Sequence, residues 1–298
     1  MDGTEAYIPN KFNFRSNTCS LDINTIVNMN RIMRNLYDLS KYNKKCTDSP
    51  DYIYNKYKTP DINFNAKECR NLWNINENEP IDIINICLNK FKNITIVFFT
   101  ANENMSGASN ILNGEIIIFV NSNHTLGRQR FTIAHELYHI LYGNNEFIDC
   151  SLRSNSKIEE DADKFASKLL MSDSALFNYE RENNISKWNL DEIIDCEQYF
   201  QISRKAILNR LLTMNRITEK EYVINSKKIK YNAKKRGYDV KLYNPYLKDK
   251  NLLMGHYIKL AQEAYEDKKI NKKEMENILK DAFYDDFLNN EDMKDLIE

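Results

Sequence analysis

The sequence has few of the residues that break or loosen a chain: 7 Gly and 5 Pro among 298 residues. Long linker-like or disordered tracts are therefore not expected. Cysteine is also sparse. Cys19, Cys46, Cys69, Cys87, Cys150 and Cys196 are scattered, and none form a C-x-x-C pair. That spacing argues against a disulfide framework or a Cys-ligated zinc site and points to reduced thiols in a cytoplasmic protein. An excess of one charge is missing too, with 42 basic residues against 43 acidic ones. No global electrostatic case for nucleic-acid binding follows. The longest apolar run is Ile116 to Val120, far short of the ~20 residues of a membrane helix. Met1 to Phe14 carries Pro9, Asn10 and Lys11 where a signal peptide needs an apolar stretch. Neither a membrane partner nor secretion is expected.

Apolar residues make up 42% of the chain, enough for a substantial core. The pattern predicts an α+β, mostly helical fold. Helical spacing runs from Asp22, a possible cap, to about Tyr42. It recurs from Ala66 through Trp73 and from Pro80 to Lys90. The period then changes. Ile94 to Phe99 and, more weakly, Ala108 to Leu112 read as strands, and Glu115 to Val120 as the return strand after Asn113-Gly114, a strong hairpin signal. The expected result is a small antiparallel or mixed sheet packed on two helices, Ile133–Tyr142 and Ile158–Leu170. Leu190–Phe200 and Arg204–Met214, with Ser203 as N-cap, form a helix-turn-helix-like pair. Leu252 to Tyr284 looks helical. The division expected is an N-terminal arm (1–65, with 1–21 irregular), a main domain (66–180), the helix pair (181–224), and a basic connector with an acidic helical tail (225–298).

The strongest chemical signal is His135-Glu136-Leu137-Tyr138-His139. Residues four apart share a helix face, so His135 and His139 can direct two imidazoles at one ion. Zinc accepts such nitrogens in a tetrahedral shell. Glu136 sits one step round and can reach a water in the open position without ligating. The flanking Phe131, Ile133, Ala134, Leu137, Ile140 and Leu141 predict a buried helix. A buried helix carrying two His and a Glu needs a partner for them, and a metal supplies it. A third ligand is expected at Glu159, with Asp163 one turn on to hydrogen-bond a ligand histidine. Glu160 and Asp161 compete for the ligand role, but helical phase turns Glu160 by about 100° from Glu159. The plainer alternative is that this acidic run only complements a helix N-terminus.

The segment Arg128–His139, followed by Glu159–Asp163, Phe165, Ala166 and Leu169-Leu170-Met171, resembles the ImmA/IrrE family of metallo-endopeptidases. So does a strand ending in Asn121. The resemblance covers roughly residues 66–180 and continues more weakly through the helix pair. It implies a gluzincin-like zinc site with ligands at His135, His139 and Glu159 and the catalytic base at Glu136. It also implies cleavage of a DNA-binding repressor, often one of a mobile element or prophage. Tyr138 stands where the family usually has Gly. Tyr138, Tyr142 and His124 are the candidates for contact with a substrate oxyanion. The strand Glu115–Val120 is the candidate for pairing with an extended substrate.

A second reading is a nonenzymatic regulator that binds a repressor or DNA through residues 190–250. Arg204, Lys205, Asn209 and Arg210 lie on the second helix of the pair. Residues 225–250 hold nine Lys/Arg and two Asp, a local net of +7.

Overall fold

The computed structural model describes residues 13–14, 23–42, 59–103, 105–143, 156–246 and 251–282. The Asp22 cap, Cys19, Cys46, Cys150 and the acidic tail past residue 282 lie outside them. Five strands form one mixed sheet: β1 (Asn13–Phe14), β2 (Ile94–Phe99), β3 (Gly107–Leu112), β4 (Glu115–Asn121) and β5 (Leu252–Gly255), in the order β1-β3-β4-β2-β5. The Asn113-Gly114 turn has φ of 49° and 85°, the left-handed geometry a two-residue hairpin needs. It sets β3 against β4 from Gly107↔Val120 to Leu112↔Glu115. β2 lies parallel to β4, with Ile94 opposite Ile116 and Phe99 opposite Asn121.

Helices cover both faces of this sheet. Ile94, Ile96, Phe98, Ile116, Ile118 and Val120 face one core. That core is completed by α2 (Ile62–Leu72), α3 (Ile83–Lys90), α4 (Leu126–Tyr142), α5 (Ser156–Leu170), α6 (Asp173–Glu182), α7 (Leu190–Phe200) and α8 (Arg204–Thr213). Val97, Phe99, Ile117 and Phe119 face a second core with α1 (Ile23–Ser40), α11 (His256–Glu266) and α12 (Lys272–Asp281). Two buried faces explain why β2 and β4 read as unbroken apolar runs rather than as alternation. Between the two groups of helices, α9 (Glu219–Asn225) and α10 (Ile229–Lys235) follow α8.

The mostly helical α+β class holds, and several expectations are corrected. α2 starts at Ile62, capped by the Asp61 side chain, rather than near Ala66. α4 starts seven residues before Ile133, because Gly127 and the polar run after it hide the helical period. Residues 13–14, expected to be irregular, form β1. Leu252–Gly255, expected to be helical, is β5, paired with β2 from Thr95↔Gly255 to Phe98↔Leu252. The basic stretch 225–250 is not simply a solvated connector: Ala233, Leu242 and Tyr243 pack with Ile194 in a small core. β4 is flanked by β3 and β2 along its length, so its edges are taken and it cannot add a substrate strand.

Candidate metal centre

The site is built where α4 crosses the sheet and meets α5. Of the apolar face of α5 predicted by period, Ala162, Phe165 and Leu169 are fully buried and Ile158 is half-buried. Burying side chains the size of Phe and Leu stabilises by roughly 1.5–3 kcal/mol each. Ala162 and Ala166 are small enough to let α4 and α5 approach closely. Arg70 of α2 closes the far end of α5. Its guanidinium donates to the carbonyls of Leu169 (2.8 Å) and Leu170 (3.3 Å), satisfying the last turn. Burial lowers the Arg70 pKa to about 10, so it remains cationic at the helix's negative end.

Three side chains converge in the cleft between α4 and α5. His135 Nε2 lies 3.1 Å from His139 Nε2. Glu159 sets Oε2 at 3.2 Å from the first and Oε1 at 3.4 Å from the second. The ligand atoms of the three residues all lie within 4.8 Å of one another, so the group can hold a metal ion. Asp163 Oδ1 lies 2.8 Å from His135 Nδ1. That contact keeps the proton on Nδ1 and presents the Nε2 lone pair to the group. Two imidazole nitrogens and one carboxylate form the donor set of a catalytic zinc site that keeps a position open, so the residues fit zinc. The competing acids stand apart. Glu160 is exposed, and Asp161 faces Lys164 at 3.9 Å.

Glu136 is buried beside this group, and Ser109 Oγ donates to its Oε2 at 2.8 Å. Gly107, two residues earlier on β3, allows the approach. A Cβ there would lie 2.4 Å from Thr132 Cγ2, 2.7 Å from Phe119 O and 3.3 Å from Glu136 Oε1. Neither Ser109 nor Gly107 was singled out in the sequence. The available signal was a Gly-Ala-Ser start to a weak strand, the pattern of a backbone that another element approaches closely. Asn121 has a structural task as well. Its buried amide donates to the carbonyls of Asn102 and Met105, both at 2.8 Å, and holds the loop that leads into β3.

The oxyanion candidates divide. Tyr142 turns away: its hydroxyl donates to Asn65 O and lies 3.2 Å from Cys69 Sγ. That commitment to α2 corrects the expectation of a substrate contact. His124 Nε2 lies 3.2 Å from Glu103 O, on the loop ahead of β3 rather than in the ligand group. Tyr138 stands next to the group, its ring 5.9 Å from that of His139 and 5.5 Å from that of Phe165. Burial pushes its phenol pKa up, so it stays protonated near neutral pH.

The helix pair is docked against the site helix. A Cβ on Gly127 of α4 would come within 2.8 Å of Ser203 N at the start of α8. Arg204 is buried against Glu197, and Arg210 is paired with Asp173. A recognition helix needs its N-terminal residues free to enter a groove, and here that end is packed on α4. Among the described residues no helix is long and apolar enough to cross a membrane.

Among curated proteins, none matches the chain. Residues 84–212 match peptidase family M78, the IrrE N-terminal-like domain. That span holds β2 to β4, the helix bearing both histidines, the helix bearing Glu159 and most of the helix pair. With its His-Glu-x-x-His helix and a carboxylate on the next helix, this segment is similar to the ImmA/IrrE family of metallopeptidases.

Proposed function

We propose that the chain is a zinc-dependent endopeptidase that hydrolyses a peptide bond in a protein substrate. The substrate is a helix-turn-helix transcriptional repressor of a mobile element, prophage or stress response. The observation that carries the catalytic part is the convergence of His135, His139 and Glu159 with Glu136 held just outside the group. The substrate class is supported by the family resemblance. Separate, buried free thiols at Cys69, Cys87 and Cys196 support a cytoplasmic setting.

His135, His139 and Glu159 would hold the zinc, which would supply Lewis-acid chemistry that makes a water nucleophilic at about pH 7 and polarises a carbonyl. The chain's own residues do the rest. Glu136 accepts the attacking water's proton and delivers it to the leaving amine nitrogen. Ser109 fixes the orientation of the Glu136 carboxylate. Asp163 fixes the His135 tautomer. The inward pairing of Arg204 and Arg210 supports reading the helix pair as a buttress for α4 rather than as a DNA reader.

The test is digestion of purified helix-turn-helix repressors by the zinc-loaded protein, read by intact mass. Cleavage at a defined bond by the wild type, and loss of about 10²-fold or more in Glu136→Gln, is the expected result. Equal cleavage by the Gln variant with zinc bound would overturn the mechanism. Salt-dependent DNA binding by a protein that takes up no zinc would favour the nonenzymatic reading.

A further inference from the structure

Charge is balanced over the whole chain, at 42 basic residues to 43 acidic, but not along it. Residues 225–238 hold six Lys/Arg and no Asp or Glu. They span the end of α9, a turn and α10. Lys228 takes a φ of 49° and redirects the chain between the two helices. Ala233 of α10 is fully buried in the small core with Ile194. Tyr231 and Lys235 lie two positions either side of it, a rotation of about 200°, so they fall on the opposite face. Lys230 and Lys234, four apart, flank that face. Lys227, Lys228, Lys230, Lys234 and Lys235 are all exposed, and Tyr231 is 62% exposed.

The protein does little to balance these cations itself. Of the six, Arg236 alone pairs with an acid among the described residues, Asp191 of α7. Lys230 donates to the side-chain oxygen of Asn244, a neutral acceptor. Like charges held this close repel one another, and a polyanion relieves the repulsion. Lysine is a compact point charge suited to phosphate, whereas the planar fork of arginine matches a carboxylate better. Tyr231 adds a hydroxyl of the kind that bonds phosphate oxygens. The exposed apolar pair of α9, Val223 and Ile224, shares its helix with Glu219 and Glu221. It therefore does not extend the cationic face into the apolar-and-basic surface that an anionic bilayer takes up.

We propose that α10 and the Lys227–Lys228 turn form a docking face for double-stranded DNA, which they hold by its phosphates and not by its bases. The arginines of α8 point inward, Arg204 against Glu197 and Arg210 against Asp173, so the contact belongs to α10 and not to the helix pair. The face is tied to the site helix. Asn244, which Lys230 bonds, accepts from the Leu126 backbone N–H at 2.8 Å, at the start of α4. The Tyr246 N–H donates to Gln129 on the same helix. One consequence rests on the peptidase reading above: the face brings the metal centre to a repressor that is itself bound to DNA. Phosphate contacts carry no base preference, so the repressor supplies the sequence and α10 the attachment.

The experiment measures binding of a fluorescein-labelled DNA duplex of arbitrary sequence to the full-length protein, by anisotropy between about 50 and 200 mM salt. Wild type stands beside the triple variant Lys227→Gln/Lys234→Gln/Lys235→Gln. The control, Lys268→Gln/Lys272→Gln/Lys273→Gln, makes the same charge change at exposed positions on the far side of the sheet. The wild type is expected to bind, with affinity falling steeply as salt rises. The first variant should bind roughly tenfold or more weakly at low salt, with a log–log salt slope smaller by about three, near one per phosphate contact removed. The control should match the wild type. Replacing the same three lysines by arginine keeps the charge and should keep the slope, which separates lost charge from a misfold. No duplex binding by the wild type at about 50 mM salt, equal weakening in variant and control, or binding to phosphatidylserine vesicles or polyglutamate in place of the duplex would overturn the proposal. The readout needs neither metal nor turnover, so failure to take up zinc would count against the peptidase reading separately.

Discussion

Ser109 on β3 and Glu136 on α4 share a hydrogen bond of 2.8 Å, Oγ to Oε2, between two buried side chains. The bond ties the Glu136 carboxylate to the sheet. Ser109→Ala leaves the three metal-binding side chains intact but releases Glu136 from its orientation. Zinc content is expected to stay at the wild-type level, while kcat falls roughly ten- to hundredfold, the scale of a small misplacement of a reacting group. Elemental analysis beside single-turnover cleavage checks this. A variant with full kcat would show that the bond has no positioning role.

In the proposed centre, Asp163 would act on the metal through His135. Its carboxylate lies 2.8 Å from Nδ1, the contact that keeps Nε2 available. Asp163→Ala is expected to weaken zinc affinity by about 10- to 100-fold, measured by competition with a chelator of known affinity. Unchanged affinity would mean that the imidazole is oriented by packing alone.

The buried pair that joins α7 to α8 gives a pH signature. Burial raises the Glu197 pKa from 4.5 to about 7, and hydrogen bonds from Arg204 and Tyr243 only partly offset it. In the folded protein this carboxyl binds a proton between about pH 4.5 and 7 that the unfolded chain has released. Its contribution therefore favours folding at the acid end of that window and is lost as pH rises through it. Urea denaturation midpoints across the window should show this decline in the wild type and a shallower one in Glu197→Gln. Parallel slopes in the two proteins would contradict the assignment.

The group that could hold a metal was legible in the sequence because it is local. His135 and His139 are one turn apart, Glu159 and Asp163 are one turn apart, and burial of both helices follows from their own apolar spacing. The hairpin was legible because Asn113-Gly114 declares its turn. What was hidden is non-local. The four residues of β5 form a strand only by pairing with β2, and β1 exists only against β3. Ser109 looks like any strand serine until Gly107 lets α4 close on it. The start of α4 was missed because Gln129, buried and bonded to the carbonyls of Asn121 and Ser122, reads in sequence as a surface residue. Tyr142 had the chemistry for a substrate contact, and only packing shows its hydroxyl committed to Asn65.

The most direct test is the metal content of the purified full-length protein, wild type beside Glu159→Ala. The account predicts about one zinc per chain in the wild type and a sharp loss in the variant, because removing one of three protein ligands leaves an incomplete shell. No metal in either protein after zinc is added, or equal zinc in both, would contradict the three-ligand centre on which the proposed chemistry depends.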